Sequence, residues 1–163
     1  MEQIIKKTVS VCMNFREANL GDLPELLKLE QGVVKAERPF NSAIKSEGAR
    51  YYDIPFLIED DNSLLLVAVV GEVIVATGYS QIRVSKSSLK HDKHAYLGFM
   101  YVCPEHRGKG LNKQLMEQLI SWSAQQGVND FYLDVYAQNQ SAIRAYEKLG
   151  FEPCLMEMRL SKT

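Results

Sequence analysis

The chain carries no surplus of charge of either sign. Among 163 residues, 19 lysines and arginines stand against 20 aspartates and glutamates, a formal net charge of −1 at pH 7. This excludes electrostatic capture of nucleic acid or of an anionic membrane as its main business. Cysteine is scarce: Cys12, Cys103 and Cys154 are odd in number, far apart and without a Cys-x-x-Cys pair. That argues against a disulfide framework or zinc site and for free thiols in a reducing cytoplasm. The most apolar run, Leu64 to Ala76, is interrupted by Gly71-Glu72 and is too short to span a bilayer. Met1 to Thr8 lacks the long apolar core of a signal peptide. Repeats, low-complexity tracts and an inter-domain linker are also missing. One soluble, cytoplasmic domain over 1–163, large enough for a sizeable core, is the expectation.

What is present concentrates between Tyr101 and Leu119. His106-Arg107-Gly108-Lys109-Gly110-Leu111-Asn112-Lys113 reads as a glycine-rich turn joining a strand to an amphipathic helix. Such a turn offers unpaired N–H groups and a helix dipole to an anion. Gly108 and Gly110 remove side chains that would hold a phosphate off the backbone, and Arg107, Lys109 and Lys113 add positive charge. A pyrophosphate fits; a tight, solvated strand-to-helix turn is the competing reading. Spacing excludes a Walker A loop, because Leu111-Asn112 follows Gly110, and a dinucleotide fingerprint, because Lys113 stands where the third glycine belongs.

Downstream, Asp134-Val135-Tyr136-Ala137-Gln138-Asn139 ends a strand, and Asn139 is placed to cap a helix from Gln140. Ala142, Ile143, Tyr146 and Leu149 form that helix's apolar face, closed by Gly150. Arg107-x-x-Gly110 resembles the Arg/Gln-x-x-Gly-x-Gly/Ala acetyl-coenzyme A loop of the GNAT N-acetyltransferases, with Asn112 departing at the last small position. Asn139 to Phe151 resembles the C-terminal signature of the same family, in the right order and at the right distance. The resemblance covers roughly Ala95 to Leu160; the first half fits by pattern alone.

The pattern along the chain predicts a strand over Thr8 to Glu17 and a helix capped by Asp22, with Pro24 in its first turn and Leu23, Leu26, Leu27 and Glu30 following. A short helix is expected around Ser42 to Ala49, in a stretch broken by Arg38-Pro39 and Gly48. Leu64 to Val70 and Val73 to Arg83 read as a hairpin and Ser85 to Lys93 as a basic loop. A strand over Tyr96 to Val102, a helix from Gly110 to Gln126, a strand from Phe131 to Ala137, a helix from Gln140 to Leu149 and a closing strand from Leu155 to Leu160 complete the order. The expected fold class is α+β: a GNAT-like domain with a mixed, mainly antiparallel twisted sheet flanked by helices. The resemblance implies that its fourth and fifth strands splay apart.

The resemblance also implies roles. Acetyl-coenzyme A would lie between the splayed strands, its pantetheine arm on backbone groups of Met100, Tyr101 and Val102 and its pyrophosphate on the amides from Gly108 through Lys109, Gly110, Leu111 and Asn112 to Lys113. Asn139 would contact the cofactor, or act only as a helix cap. Tyr146, seven residues after Asn139, matches the family's general acid: a phenol with pKa ~10 can protonate a departing thiolate. A core-filling tyrosine is the alternative. The usual basic positions of the fourth strand fall on Gly98 and Phe99, which cannot titrate. Asp134 matches the base of the ribosomal-protein N-terminal acetyltransferase branch, against a solvent-facing or lysine-paired carboxylate; Tyr96 is a second candidate through water.

Other polar residues have plain readings. His91 and His94 lack an obvious third metal ligand, and no metal is expected. Cys103 near the thioester is a nucleophile or a small strand-end filler, His106 a packing residue or cofactor contact, and Trp122 core. The acceptor is an amine that the sequence does not name; Glu37, Asp53 and Tyr51-Tyr52 are placed to greet a cation or simply to anchor a loop. Acetyl transfer to a primary amine is the reading from the resemblance, with a non-catalytic acyl-coenzyme A sensor of the same fold as alternative. Self-association through edge strands is compatible with both.

Overall fold

The computed structural model describes residues 12–162. Five strands run in sequence order across one sheet: Met13–Glu17 (β1), Ser63–Val70 (β2), Val73–Val84 (β3), Lys93–Val102 (β4) and Phe131–Tyr132 (β5). Pairs β1–β2, β2–β3 and β3–β4 are antiparallel, whereas β4–β5 is parallel. The helices are Leu23–Glu37 (α1), Ile54–Glu59 (α2), Leu111–Gln125 (α3) and Gln140–Glu147 (α4).

The unbroken apolar run of β2 follows from cover on both faces. Leu65, Val67 and Val69 pack with Leu26, Leu29 and Val33 of α1 and Ile54 and Leu57 of α2. Leu64, Leu66 and Ala68, the alternate set, pack with Leu111, Leu115, Met116 and Leu119 of α3, with Trp122 at its edge. Gly71, at φ +63°, makes the β2–β3 turn in a conformation that suits a residue without Cβ.

Several boundaries differ from the sequence expectation. Thr8 to Val11 lie outside the described residues; β1 takes up at Met13. Asp22 makes no side-chain cap on α1. Its carboxylate instead accepts from both terminal nitrogens of Arg16 at 2.7 and 2.8 Å and from the Asn19 N–H. Helix α1 passes through Gly32, where a Cβ would run into the Tyr101 ring; the glycine marks a close approach rather than a break. No helix forms over 42–49. The short helix falls later, at α2, where Asp53 Oδ1 accepts from the Phe56 N–H at 3.2 Å. Asp53 thus caps α2. The strand expected over Phe131 to Ala137 is hydrogen-bonded only at its first two residues. The closing strand over Leu155 to Leu160 does not form: 151–162 has no regular structure.

Candidate active site

The site begins with a defect in β4. Thr77 pairs with Tyr101 but Tyr79 with Gly98, so β4 carries one extra residue there. Phe99 absorbs it with φ +54°, a left-handed conformation uncommon for a bulky side chain. Its ring is fully buried and stacks on Tyr52, centroids 4.5 Å apart. β4 leaves β5 just before the bulge: the two pair only at Ala95↔Phe131 and Tyr96↔Tyr132. The splay implied by the resemblance is present, and it opens a cleft.

Backbone register decides which groups face that cleft. The Cys103 N–H donates to the Val75 carbonyl at 2.8 Å, and Val102 sits opposite Ala76. Antiparallel alternation then turns the polar groups of Val102 toward the cleft and those of Tyr101 toward β3. The Arg107 Nε donates to the Val102 carbonyl at 2.9 Å, and its guanidinium lies 5.6 Å from the Tyr101 ring centre. The Met100 thioether fills the space left by Gly78.

A single turn over Pro104–His106 then leads into the glycine loop. Gly108 and Gly110 have φ +74° and +77°, and no atom stands within 4 Å of where a Cβ would be. Gly110 occupies the N-cap of α3 and supplies no side-chain acceptor. The first amides of the helix therefore point outward beside Lys109 and Lys113, a fit for pyrophosphate oxygens. The Leu111 side chain is buried beneath them, and Asn112 is half-buried. Lys113 lies 3.8 Å from Glu117 one turn on.

Across the cleft, the Tyr96 hydroxyl donates to Asp134 Oδ2 at 2.8 Å, bridging the strands just past their last paired residues. Asp134 is exposed and paired with a tyrosine rather than a lysine. The Arg83 guanidinium covers the Tyr96 ring at 4.0 Å. Burial first, then the hydrogen bond to Asp134, holds the Tyr96 phenol above its ordinary pKa, so it stays a donor. Asn139 caps α4 as expected, its Oδ1 accepting from the Ala142 N–H at 3.3 Å. Tyr146 lies on the inner face of α4, its ring 6.1 Å from Phe151. Burial, then the charge of Glu37, raises its pKa.

Glu37, at the last turn of α1, faces the same space. Burial pushes its carboxyl up, and the neighbouring Tyr51 hydroxyl pulls it partly back. That hydroxyl is itself buried without a partner in hydrogen-bonding geometry. Tyr136 closes this end, stacked on Phe40 and accepting a hydrogen bond from Asn41 Nδ2 at 3.0 Å.

Three features escaped the sequence reading. Tyr79 is buried, and its ring and hydroxyl stand 2.5 Å from where a Cβ on Gly98 would be. A phenol from β3 thus fills the place of a fourth-strand acid. Gly98→Ala is expected to cost about 1–3 kcal/mol through overpacking, read as a lowered urea midpoint. Glu30 is fully buried and accepts from Arg50 Nε at 2.6 Å and from the Tyr51 and Tyr52 N–H groups at 2.7 and 2.9 Å. Its signal was an acid at helical spacing within the stripe Leu26, Leu29, Val33, Val34. Lastly, Ser85 Oγ contacts His91 Nδ1 at 2.7 Å and His94 Nδ1 at 2.9 Å, and His91 Nε2 meets the Tyr132 hydroxyl at 2.9 Å. Both histidines are engaged as a clasp between the loop and β5. Cys103 is held above the ordinary thiol pKa, chiefly by burial and then by Glu105, and stays protonated near neutrality.

A bulged, splayed sheet with a glycine loop opening a helix at the cleft defines an acyl-coenzyme A transferase fold. The Acetyltransferase (GNAT) family profile matches residues 31–151, and the chain belongs to that family. Similar proteins include an L-methionine sulfoximine/L-methionine sulfone acetyltransferase of Pseudomonas paraeruginosa, 26% identical over 148 residues, 85% of this chain and 80% of that one. The fold superposes on the crystal structure of a BH1408 tetramutant from Bacillus halodurans with TM-score 0.82 and 25% identity, over 91% of this chain and 99% of the other. It also superposes on a predicted acetyltransferase of Clostridium acetobutylicum solved with acetyl-CoA, with TM-score 0.70 and 18% identity, over 92% and 96% of the two chains. Against several other curated relatives, the match spans only 25–59% of the relative's length.

Proposed function

We propose that the protein transfers acetyl from acetyl-coenzyme A directly to a primary amine of a small molecule or peptide within a ternary complex. The observation that carries this reading is the Tyr96–Asp134 bridge at the mouth of the β4–β5 splay. It holds a carboxylate against a phenol where β5 parts from β4.

In this reading the amides from Gly108 to Lys113 hold the pyrophosphate, with Arg107 and Lys109 beside them. Met100 and Val102 hold the pantetheine arm, whereas Tyr101, expected to share that role, spends its backbone groups on β3; the Val102 N–H faces the thioester carbonyl as a donor to developing negative charge. Asn139 caps α4 and contacts the cofactor. Glu37 and the orphaned Tyr51 hydroxyl receive the acceptor's ammonium. Asp134, oriented by Tyr96, takes a proton from that group, whose pKa is ~10.4 when free. Tyr146 gives its proton to the departing thiolate. No metal enters this scheme. The protein works in the cytoplasm, and its exposed sheet edges are compatible with a homodimer.

Several relatives support an amine acceptor by name: an L-amino acid N-acyltransferase of Escherichia coli, the methionine sulfoximine enzyme, and an aminoglycoside 6'-N-acetyltransferase from Acinetobacter haemolyticus. The test is release of coenzyme A thiol across a panel of amino acids, polyamines, aminoglycosides and short peptides. Amine-dependent release is expected, and Asp134→Asn is expected to lower kcat about 100-fold. Cofactor binding in calorimetry without release on any amine would favour the sensor instead.

A further inference from the structure

One guanidinium on the acceptor side is pinned at its root and open at its tip. Tyr79, Gln81 and Arg83 alternate along β3 and share the sheet face on which Tyr96 lies. Arg83 donates its Nε to Gln81 Oε1 at 2.8 Å and lays its guanidinium 4.0 Å over the centre of the Tyr96 ring. A solvated arginine samples many rotamers; these two contacts hold one. Among the described residues, neither Nη1 nor Nη2 has a hydrogen-bond or ion-pair partner. The end left clear is the two-nitrogen fork that fits a carboxylate bidentately.

A second donor stands beside it. Tyr79 is 5% exposed, with its ring centre 6.4 Å from that of Tyr96. Its hydroxyl has no partner in hydrogen-bonding geometry among the described residues. Of those residues only Tyr51 has a side-chain polar atom both fully buried and unpartnered, so the Tyr79 hydroxyl reaches open space. Gly98 gives it room, since a Cβ there would take the place of the phenol's tip. Burial raises the Tyr79 phenol above its ordinary pKa, and the neighbouring Arg83 pulls it partly back. It stays a donor.

Opposite these donors stands an acceptor. Asp134 takes the Tyr96 hydroxyl at 2.8 Å and forms no ion pair with Arg83, although both grip the same phenol. A positive fork and a negative carboxylate are set one phenol apart, both exposed and not joined to each other. That arrangement complements a molecule carrying both charges.

We propose that the acceptor is a free α-amino acid, its carboxylate received by Arg83 and the Tyr79 hydroxyl while its ammonium faces Asp134. The inference rests on the amine-transfer reading above and adds the substrate's second charge. One carbon separates ammonium from carboxylate in such a molecule, and a charge-assisted hydrogen bond of about 2.8 Å at each end carries it across one phenol. The α-amine of a peptide brings only a neutral carbonyl to the fork. Polyamines and aminoglycosides bring further cations, which Arg83 repels. Arg83 and Tyr79 select the amine and touch none of the reacting atoms.

The test sets the standard L-amino acids against their α-amides in coenzyme A release, with binding to the coenzyme A-loaded protein followed by calorimetry. For the amino acid that reacts best, kcat/KM should exceed that of its amide about 100-fold. Arg83→Gln should lower that ratio about 30-fold and Tyr79→Phe about 10-fold; Arg83→Lys, which keeps the charge without the fork, should recover only part. A ratio of two substrates cancels whatever Arg83 does for Tyr96, so a purely structural arginine would leave it at the wild-type value. Equal kcat/KM for acid and amide, an unaltered ratio in Arg83→Gln, or calorimetric silence of every amino acid would overturn the proposal. Turnover of polyamines without turnover of amino acids would also overturn it and leave the transferase reading intact. Arg83-dependent binding of an amino acid without release on any amine would sustain this receptor and sink the transfer.

Discussion

Tyr146→Phe is expected to lower kcat for amine-dependent coenzyme A release by about 100- to 1,000-fold, with KM for acetyl-coenzyme A within about twofold of wild type. The ring keeps its place against Phe151 and the Leu149 side of α4, so melting temperature should not move. The missing atom is the one proton donor that α4 presents on that face. Burial, and then the nearby Glu37 charge, hold the phenol above its ordinary value. Raised from ~10, it keeps its proton through neutral and mildly basic assays. A coenzyme thiolate resembles a cysteine thiolate of pKa ~8.5, so the phenol serves by a strong hydrogen bond and late proton transfer rather than by prior ionisation. Activity should therefore show no basic limb from Tyr146 below pH ~10. An unchanged kcat in the phenylalanine variant would reduce Tyr146 to packing and move the acid elsewhere.

The largest effect on stability is expected from Glu30→Ala, about 2–5 kcal/mol in urea denaturation. The fully buried carboxylate is where the 50–52 turn finds its acceptors. Removing it strands the Tyr51 and Tyr52 N–H groups, each costing about 1–3 kcal/mol when unsatisfied. Arg50 is half exposed and regains water, so the ion pair itself contributes little to that figure. Glu30→Gln keeps one oxygen for the two amides and should cost less than alanine. Because Tyr52 stacks on Phe99 at the bulge, the alanine variant should also raise KM for the acceptor. Equal stability of variant and wild type would mean that the turn holds without its anchor.

The second half of the chain was legible because local chemistry and long-range geometry agree there. Gly108 and Gly110 take the positive φ angles that the loop demanded, and α3 begins at Leu111 as its apolar stripe required. Asn139 caps α4, and Gly150 follows it at φ +96°. The β2–β3 hairpin followed from a turn inside an apolar run. The misses lie where a distant partner sets the outcome. Gly32 gave no sign of its role, because the Tyr101 ring that requires it comes from β4. Ser42 to Ala49 has helix formers but no face to bury, while Asp53 supplies a cap to Ile54 and Leu57, which do. Phe99 gave no hint of its left-handed φ, since a bulge is a property of two strands in register. Tyr79 could not be linked to Gly98 without the β3–β4 pairing.

The serine between the two histidines has a consequence for acid tolerance. Its single hydroxyl proton can point to His94 Nδ1, with His91 donating to Ser85 and accepting from Tyr132. It can equally point to His91 Nδ1, with His94 donating to Ser85 and His91 donating to Tyr132. The whole chain reverses direction without moving any atom heavier than hydrogen. Burial first, then His91 and Arg83, keep His94 uncharged to lower pH than a free imidazole. With His94 uncharged, both directions of the chain stay open, and the contact of the basic loop with β5 does not depend on which one is taken.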